Sequence, residues 1–112
     1  MQLRYVKIIA EKYDIDLQDI HVKIERDESL LGIMYTGVAN RNYKGKGRIH
    51  LLPNAFVSEE ELARTIYHEK IHLEQFTMYG YENVINDRDR YEDMVDELES
   101  RFWKERKNNE MD

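Results

Sequence analysis

Five consecutive residues, His68-Glu69-Lys70-Ile71-His72, match the pattern H-E-x-x-H. On a helix, two histidines four positions apart lie on one face and can bind the same metal ion. The glutamate that follows the first histidine can then take a proton from a water molecule that the ion polarises. These residue types at this spacing predict a metal-dependent hydrolytic site, with His68 and His72 as ligands and Glu69 as general base.

The apolar residues on both sides of the motif predict that it lies on a core-facing helix. They recur at spacings of four and three, and the stripe is continuous only if Glu69 belongs to it. The apolar positions are Leu62, Ile66, Leu73 and Phe76. At about 100° per residue, Glu69 points near the middle of the stripe, with His72 on its flank and His68 beyond. A buried carboxylate is costly unless it is paired, so a role beside a metal ion explains Glu69 better than packing does.

Signals at both ends bound this helix. Ser58 can cap its N-terminus, and Glu61, three residues later, completes a capping box. Gly80 is a natural C-terminal stop. The motif therefore lies inside a regular helix, as metal binding by residues four apart requires.

Length, charge and composition limit the classes of protein to consider. The 112 residues are enough for one domain with a single modest core. The net charge of −6 argues against nonspecific binding to nucleic acid or to anionic membranes. The chain has no cysteine, which excludes disulfides, thiol catalysis and cysteine-ligated zinc. We find neither an apolar run long enough to span a bilayer nor a signal peptide, so we expect a cytoplasmic location.

Changes in hydrophobic period predict an α+β fold. The predicted elements before the motif helix are a helix over residues 2–13 and strands over residues 20–24, 30–39 and 48–52. We expect the last two strands to pair as a hairpin around a turn at residues 40–47, and Pro53-Asn54 to end the third strand. The three strands would form a small antiparallel or mixed sheet.

The chain after the motif helix is expected to contain one further helix. Residues 81–90 have no sustained periodicity and predict a connecting loop. The apolar positions of the final helix are Tyr91, Met94, Val95, Leu98 and Phe102. We expect this helix to fray in the charged tail, residues 104–112, and residues 1–112 to form a single domain.

The third metal ligand is expected to come from this final helix. A catalytic zinc site has three protein ligands and leaves the fourth position to water, so two histidines need a partner. On a helical projection Glu99 lies nearest to the buried face, Glu92 lies slightly further round, and Asp96 further still. Burial therefore favours Glu99 as the third ligand.

An H-E-x-x-H helix followed by a helix that carries a glutamate resembles the gluzincin branch of the zincin metallopeptidases. Glu92 and Asp96 resemble the E-x-x-x-D element of thermolysin-like enzymes, in which the glutamate binds zinc and the aspartate orients the first histidine. Residues 97–100, Glu-Leu-Glu-Ser, instead resemble the E-x-E-A segment of ImmA/IrrE-type metallopeptidases. In that segment the second glutamate, Glu99 here, binds zinc.

Further residues favour some branches of the superfamily over others. The small Ser100 supports the ImmA/IrrE-type alignment, although Arg101 stands where that family commonly has Asn or Asp. The metzincin extension fails, because Gln75 and Met78 occupy the positions where it needs glycine and histidine. Residues 48–56, followed by the capped helix, are similar to H-E-x-x-H domains of phage head-associated proteins and bacterial toxins. This similarity implies a gene carried by a phage or another mobile element.

The resemblance implies a compact zincin-like fold and a zinc-dependent metallopeptidase. Zn²⁺ would be held by His68, His72 and Glu99, and Glu69 would pass the proton of a metal-activated water to the leaving amine. The nearest candidates to stabilise the oxyanion are Tyr79, Tyr81 and Tyr91. A protein or peptide substrate would bind in extended form along an edge strand, expected at residues 48–52. The alternative is a non-catalytic zincin-fold interaction or structural domain, for example in a phage particle or toxin protein.

Overall fold

The computed structural model describes residues 2–27, 29, 37–43 and 46–110. Within these ranges the fold is α+β, with four α-helices and a three-stranded mixed sheet, so the predicted class is confirmed. The elements are α1 (Leu3–Lys12), β1 (Ile20–Ile24), β2 (Gly37–Tyr43), β3 (Lys46–Leu51), a short 3-10 helix (Pro53–Phe56), α2 (Glu59–Tyr79), α3 (Tyr81–Asn86) and α4 (Arg88–Glu110).

The first helix and the sheet bury their apolar faces against α2. Helix α1 forms where the three-and-four spacing predicts it, and its buried face consists of Val6, Ile9 and Ala10. The buried core cluster is completed by Ile15, Ile49, Leu51, Ala55, Leu62, Ala63, Ile66 and Leu73. Nearly half of this core belongs to α2 or to the turn that precedes it, so α2 is the element on which the others pack.

The sheet has the order β1-β3-β2. Strand β1 pairs with β3 in parallel, and β2 pairs with β3 antiparallel, which confirms the predicted hairpin. The prediction that the third strand is an edge strand is wrong, because β3 has a neighbour on each side. In the described sheet the edges are β1 and β2.

The hairpin turn is shorter than predicted. Strand pairing continues to Tyr43 and resumes at Lys46, so most of the expected turn at residues 40–47 belongs to strands. The first part of the predicted second strand, residues 30–36, lies outside the described residues, as do residues 44 and 45. The end of β3 agrees with the prediction, because Pro53 begins a 3-10 helix.

Strand β2 passes very close to the motif helix at Gly37. A Cβ atom at this position would lie 2.7 Å from Cγ2 of Thr65 and 3.2 Å from Cγ of Glu69. Any larger residue would push β2 away from α2. The absence of a side chain at Gly37 therefore brings the edge strand against the helix that carries the motif.

Both predicted ends of α2 are confirmed. The Oγ atom of Ser58 accepts a hydrogen bond from the backbone N–H of Glu61 at 3.0 Å. At the other end Gly80 has φ of +90°, a conformation that L side chains rarely adopt. The helix is thus fixed over twenty-one residues with the motif near its middle.

The predicted loop after α2 is wrong, because this stretch is helical. Helix α3 occupies Tyr81–Asn86, and α4 already begins at Arg88. Helix α3 is short, and of its six described residues only Val84 is buried. One buried residue in six gives no periodicity, which is why the sequence pattern missed it.

The predicted fraying of the C-terminal tail is also wrong, because α4 continues to Glu110. The ring of Phe102 stacks on Tyr67 with centroids 4.2 Å apart. One turn further on, the Arg106 guanidinium donates a hydrogen bond to the backbone carbonyl of Lys12 at 2.6 Å. These contacts with α2 and α1 extend the helix well into the charged tail.

The buried face of α4 is rotated slightly from the predicted one. Tyr91 and Val95 are buried as expected, but Leu98 is 39% exposed. The line of contact with α2 instead passes through Glu99 and Phe102.

In the described ranges, no helix has the length and apolar character needed to cross a lipid bilayer.

Candidate metal centre

The motif residues are oriented as the apolar stripe predicts. Glu69 and His72 are 8% and 9% exposed, and His68 is half-buried on the side that faces α4. The two imidazoles lie close together, with their Nε2 atoms 3.2 Å apart. A single turn of α2 thus brings two possible metal ligands to one point.

Glu92 lies in the second turn of α4, and its carboxylate contacts both histidines. Its Oε1 atom is 3.0 Å from Nε2 of His72, and its Oε2 atom is 3.3 Å from Nε2 of His68. One carboxylate therefore faces the same nitrogen of both rings. Ligand atoms of these three residues all lie within 4.8 Å of one another.

Glu99 lies on the opposite side of the His68 ring. Its Oε2 atom accepts a hydrogen bond from Nδ1 of His68 at 3.0 Å. A carboxylate can only accept, so Nδ1 carries a hydrogen, and in the neutral ring Nε2 keeps its lone pair. Glu92 and Glu99 are two helical turns apart, about 10.5 Å along the α4 axis, and the ring of His68 reaches both.

His72 has a comparable partner on its own helix. Its Nδ1 atom is 3.0 Å from Oε1 of Gln75, and Nε2 of Gln75 donates to the backbone carbonyl of Tyr91 at 2.9 Å. The amide oxygen is an acceptor, so Nδ1 of His72 also carries its hydrogen. Both imidazoles consequently direct their Nε2 atoms at Glu92.

The result is a cluster of acceptor atoms that needs a cation. With both Nδ1 hydrogens donated elsewhere, the two Nε2 atoms and the Glu92 carboxylate face one another. Such a group is stable only with a proton or a metal ion between its members. His68, His72 and Glu92 can therefore hold a metal ion, and two imidazoles with one carboxylate is a ligand set that suits zinc.

Burial and the orientation of the two carboxylates favour different third ligands. The Glu99 side chain is more buried than that of Glu92, 17% exposed against 43%, as the helical projection predicts. Glu99 nevertheless faces Nδ1 of one histidine, whereas Glu92 faces Nε2 of both. A second group, made of His68, Asp96 and Glu99, also has ligand atoms within 4.8 Å, but Asp96 is exposed. The choice of ligand depends on which nitrogen each carboxylate faces.

Glu69 lies beside this cluster in an apolar setting. Burial raises the pKa of Glu69 to about 7, with the charge of His68 opposing the shift and that of Glu92 adding to it. The backbone N–H of Ala39, on β2, donates a hydrogen bond to the Glu69 carboxylate. The strand that approaches at Gly37 thus also contacts the motif glutamate.

His68 is charged at neutral pH in the metal-free protein. Burial opposes its protonation, but the hydrogen bond to Glu99 and the negative charges of Glu69, Glu99 and Glu92 together raise its pKa to about 9. A proton therefore fills part of the acceptor cluster when no metal ion does. Metal binding must displace this proton.

An open cavity of about 460 Å³ gives access to the cluster. It extends along α2 from a charged end near Glu61 and Arg64 to an apolar end near Phe76 and Val84. The backbone of β2 forms one wall. The remaining lining residues include Gly37, Val38, Ala39, Thr65, Ile85, Arg88, Tyr91, Glu92 and Glu99.

Several lining residues were not expected from sequence. Arg64 and Arg88 place two cations beside an otherwise acidic site. Of the three tyrosines considered for the oxyanion, Tyr91 lines the cavity, while Tyr81 packs against Phe76. Gln75 had a usable signal, because it lies three residues after His72 on the buried side of the helix. Arg64 had one as well, because it lies four residues before His68 on the predicted helix. Arg88 had none, since it lies in the stretch that was predicted to be a loop.

Comparison with known proteins gives no family assignment. No protein-family model matches the chain, and neither does any curated protein or solved structure.

The raised pKa values predict how the stability of the metal-free protein depends on pH. Folding raises the pKa of Glu69 from 4.5 to about 7 and that of His68 from 6.5 to about 9. A raised pKa means that protonation stabilises the folded state, and this stabilisation is lost as pH rises through each of these ranges. We therefore expect the melting temperature in the presence of a chelator to fall between pH 5 and pH 9. The Glu69→Gln variant should show a smaller fall, because it removes the first group and one charge that raises the pKa of the second. A melting temperature that rises over this range, or an equal fall in the variant, would contradict these pKa shifts.

Proposed function

We propose that this protein is a zinc-dependent metallopeptidase of the zincin type. The observation that carries the proposal is the convergence of both histidine Nε2 atoms on the Glu92 carboxylate, with the buried Glu69 beside them. A structural zinc site closes all four positions with protein ligands, whereas three ligands beside a buried carboxylate fit a catalytic site. The H-E-x-x-H motif and the open cavity support the same conclusion.

In this proposal His68, His72 and Glu92 hold the metal ion, and Glu99 orients His68. Hydrogen bonding of a ligating histidine through its other nitrogen fixes the ring and raises its basicity as a ligand. The arrangement combines features of both resemblances. Glu92 takes the ligand position of the thermolysin-like element, but Glu99, and not Asp96, contacts the first histidine.

Glu69 is proposed as the general base. A bound zinc ion supplies Lewis-acid chemistry, which lowers the pKa of water and polarises a carbonyl oxygen. Glu69 takes the proton of the attacking water and returns it to the leaving amine. In the metal-free protein, burial raises the pKa of Glu69 to about 7, closer to neutrality than that of an exposed carboxylate. The hydrogen bond from Ala39 holds its carboxylate at the cavity wall.

The proposed substrate is an extended protein or peptide segment that binds along β2. This strand replaces β3 in that role, since β2 lies at an edge of the described sheet and its residues Gly37, Val38 and Ala39 line the cavity. An extended chain can add to such an edge by main-chain hydrogen bonds. The Val38 side chain is 44% exposed and is available to contact a substrate.

The first test is zinc content and affinity in variants of α4. We expect one zinc ion per chain in the wild type, loss of stoichiometric zinc in Glu92→Ala, and about 10–100-fold weaker binding in Glu99→Ala. Elemental analysis and competition with a chromophoric chelator measure both quantities. Asp93→Ala is the matched control, because it removes the neighbouring exposed carboxylate of the same helix and should bind zinc like the wild type.

The opposite ranking would assign the third ligand differently. If Glu99→Ala loses zinc and Glu92→Ala retains it, Glu99 is the ligand and the proposed roles are exchanged. Absence of zinc from the folded wild type after zinc is added would contradict the proposed function itself.

The second test separates metal binding from hydrolysis. Glu69→Gln keeps the shape of the side chain but cannot act as a base, so we expect zinc binding to persist and peptide hydrolysis to fall by about 10²–10⁴-fold. Cleavage of a proteome-derived peptide library, followed by mass spectrometry, samples many substrate sequences at once. Equal cleavage by the variant would refute the role of Glu69. Zinc binding without any cleavage by the wild type would instead support the non-catalytic interaction domain.

A further inference from the structure

Gln75 is a buried polar residue of α2 that also contacts α4 at the proposed metal centre. It is only 3% exposed, and its side chain makes two hydrogen bonds. The amide oxygen lies 3.0 Å from Nδ1 of His72, and the amide nitrogen lies 2.9 Å from the carbonyl oxygen of Tyr91. One buried amide therefore touches a metal-ligating histidine and the residue that precedes Glu92.

The Tyr91 carbonyl determines which way the amide points. A backbone carbonyl oxygen can only accept a hydrogen bond, so the NH₂ group of Gln75 must face Tyr91. The amide oxygen then necessarily faces His72. Because this oxygen is an acceptor, Nδ1 of His72 must carry the hydrogen and Nε2 must present its lone pair.

We infer that Gln75 is a positioning residue that selects the metal-binding tautomer of His72 and holds the His72 turn of α2 against the Glu92 turn of α4. The inference rests on the proposed metal centre. Glu99 orients the His68 ring through Nδ1 in a similar way, but from the other helix. Gln75 performs both tasks, because its amide oxygen accepts a hydrogen bond from His72 on α2 and its amide nitrogen donates one to Tyr91 on α4.

The arrangement also accounts for a glutamine at this position. A leucine would fill a similar volume but would leave Nδ1 of His72 without an acceptor. A glutamate would accept the hydrogen from His72 but could not donate to the Tyr91 carbonyl. Only a side chain with an acceptor and a donor at this length satisfies both partners.

The test begins with the tautomer in the metal-free wild type, where no metal is needed. Long-range ¹H–¹⁵N spectra of protein labelled at histidine distinguish Nδ1–H from Nε2–H on a neutral ring. We expect His72 to carry its hydrogen on Nδ1. An Nε2–H tautomer in the folded wild type would overturn the inference without any variant.

The variants then test the effect on metal binding, with Zn²⁺ as the probe. We expect Gln75→Leu to lose the Nδ1–H preference and to bind zinc about 10–100-fold more weakly. Gln75→Glu should restore the tautomer and at least part of the affinity, which a merely structural role would not explain. Thr77→Val is the matched control, because it removes a side-chain hydrogen bond on the same helix, from Thr77 to the backbone carbonyl of Leu73.

The outcomes separate this inference from the proposed function. A folded Gln75→Leu variant that binds zinc like the wild type would overturn the positioning role while leaving the metal centre intact. A wild type that binds no zinc would contradict the proposed function, and the metal-free spectrum would then decide alone whether Gln75 selects the tautomer.

Discussion

The structure around the motif depends on one electrostatic constraint, a buried group of hydrogen-bond acceptors between two helices. The Nε2 atoms of His68 and His72 face the Glu92 carboxylate, while their own Nδ1 hydrogens are donated to Glu99 and Gln75. Acceptors do not stabilise one another, so a cation has to join them. A proton on His68 does so in the metal-free protein, and a metal ion with suitable geometry can take its place.

The rest of the fold serves to hold this group in position. Helix α2 supplies the two histidines and much of the core, and α4 is held against it by the stacked rings of Tyr67 and Phe102. Strand β2 comes close enough to hydrogen-bond Glu69 because Gly37 has no side chain. In the proposed site, a helix pair supplies the metal ligands and a sheet edge forms the cavity wall along which a substrate would bind.

Local patterns in the sequence predict many of the individual elements. They do not predict the order of the strands or which carboxylate contacts which histidine nitrogen. The capped helix from Ser58 to Gly80 and the buried direction of Glu69 follow from spacing alone, and both are confirmed. The central position of β3 could not be predicted, because strand order depends on contacts distant in sequence. The roles of Glu92 and Glu99 could not be separated either, since a helical projection gives burial but not which nitrogen of His68 each carboxylate faces.

The most direct measurement is a crystal structure of the zinc-soaked protein with anomalous data collected at the zinc edge. We predict one strong peak at about 2.0–2.2 Å from Nε2 of both histidines and from a carboxylate oxygen of Glu92. Glu99 and Gln75 would remain on the Nδ1 atoms. A peak bound by Asp96 and Glu99, or no peak between the two histidines in crystals of the folded protein, would contradict the proposed metal centre.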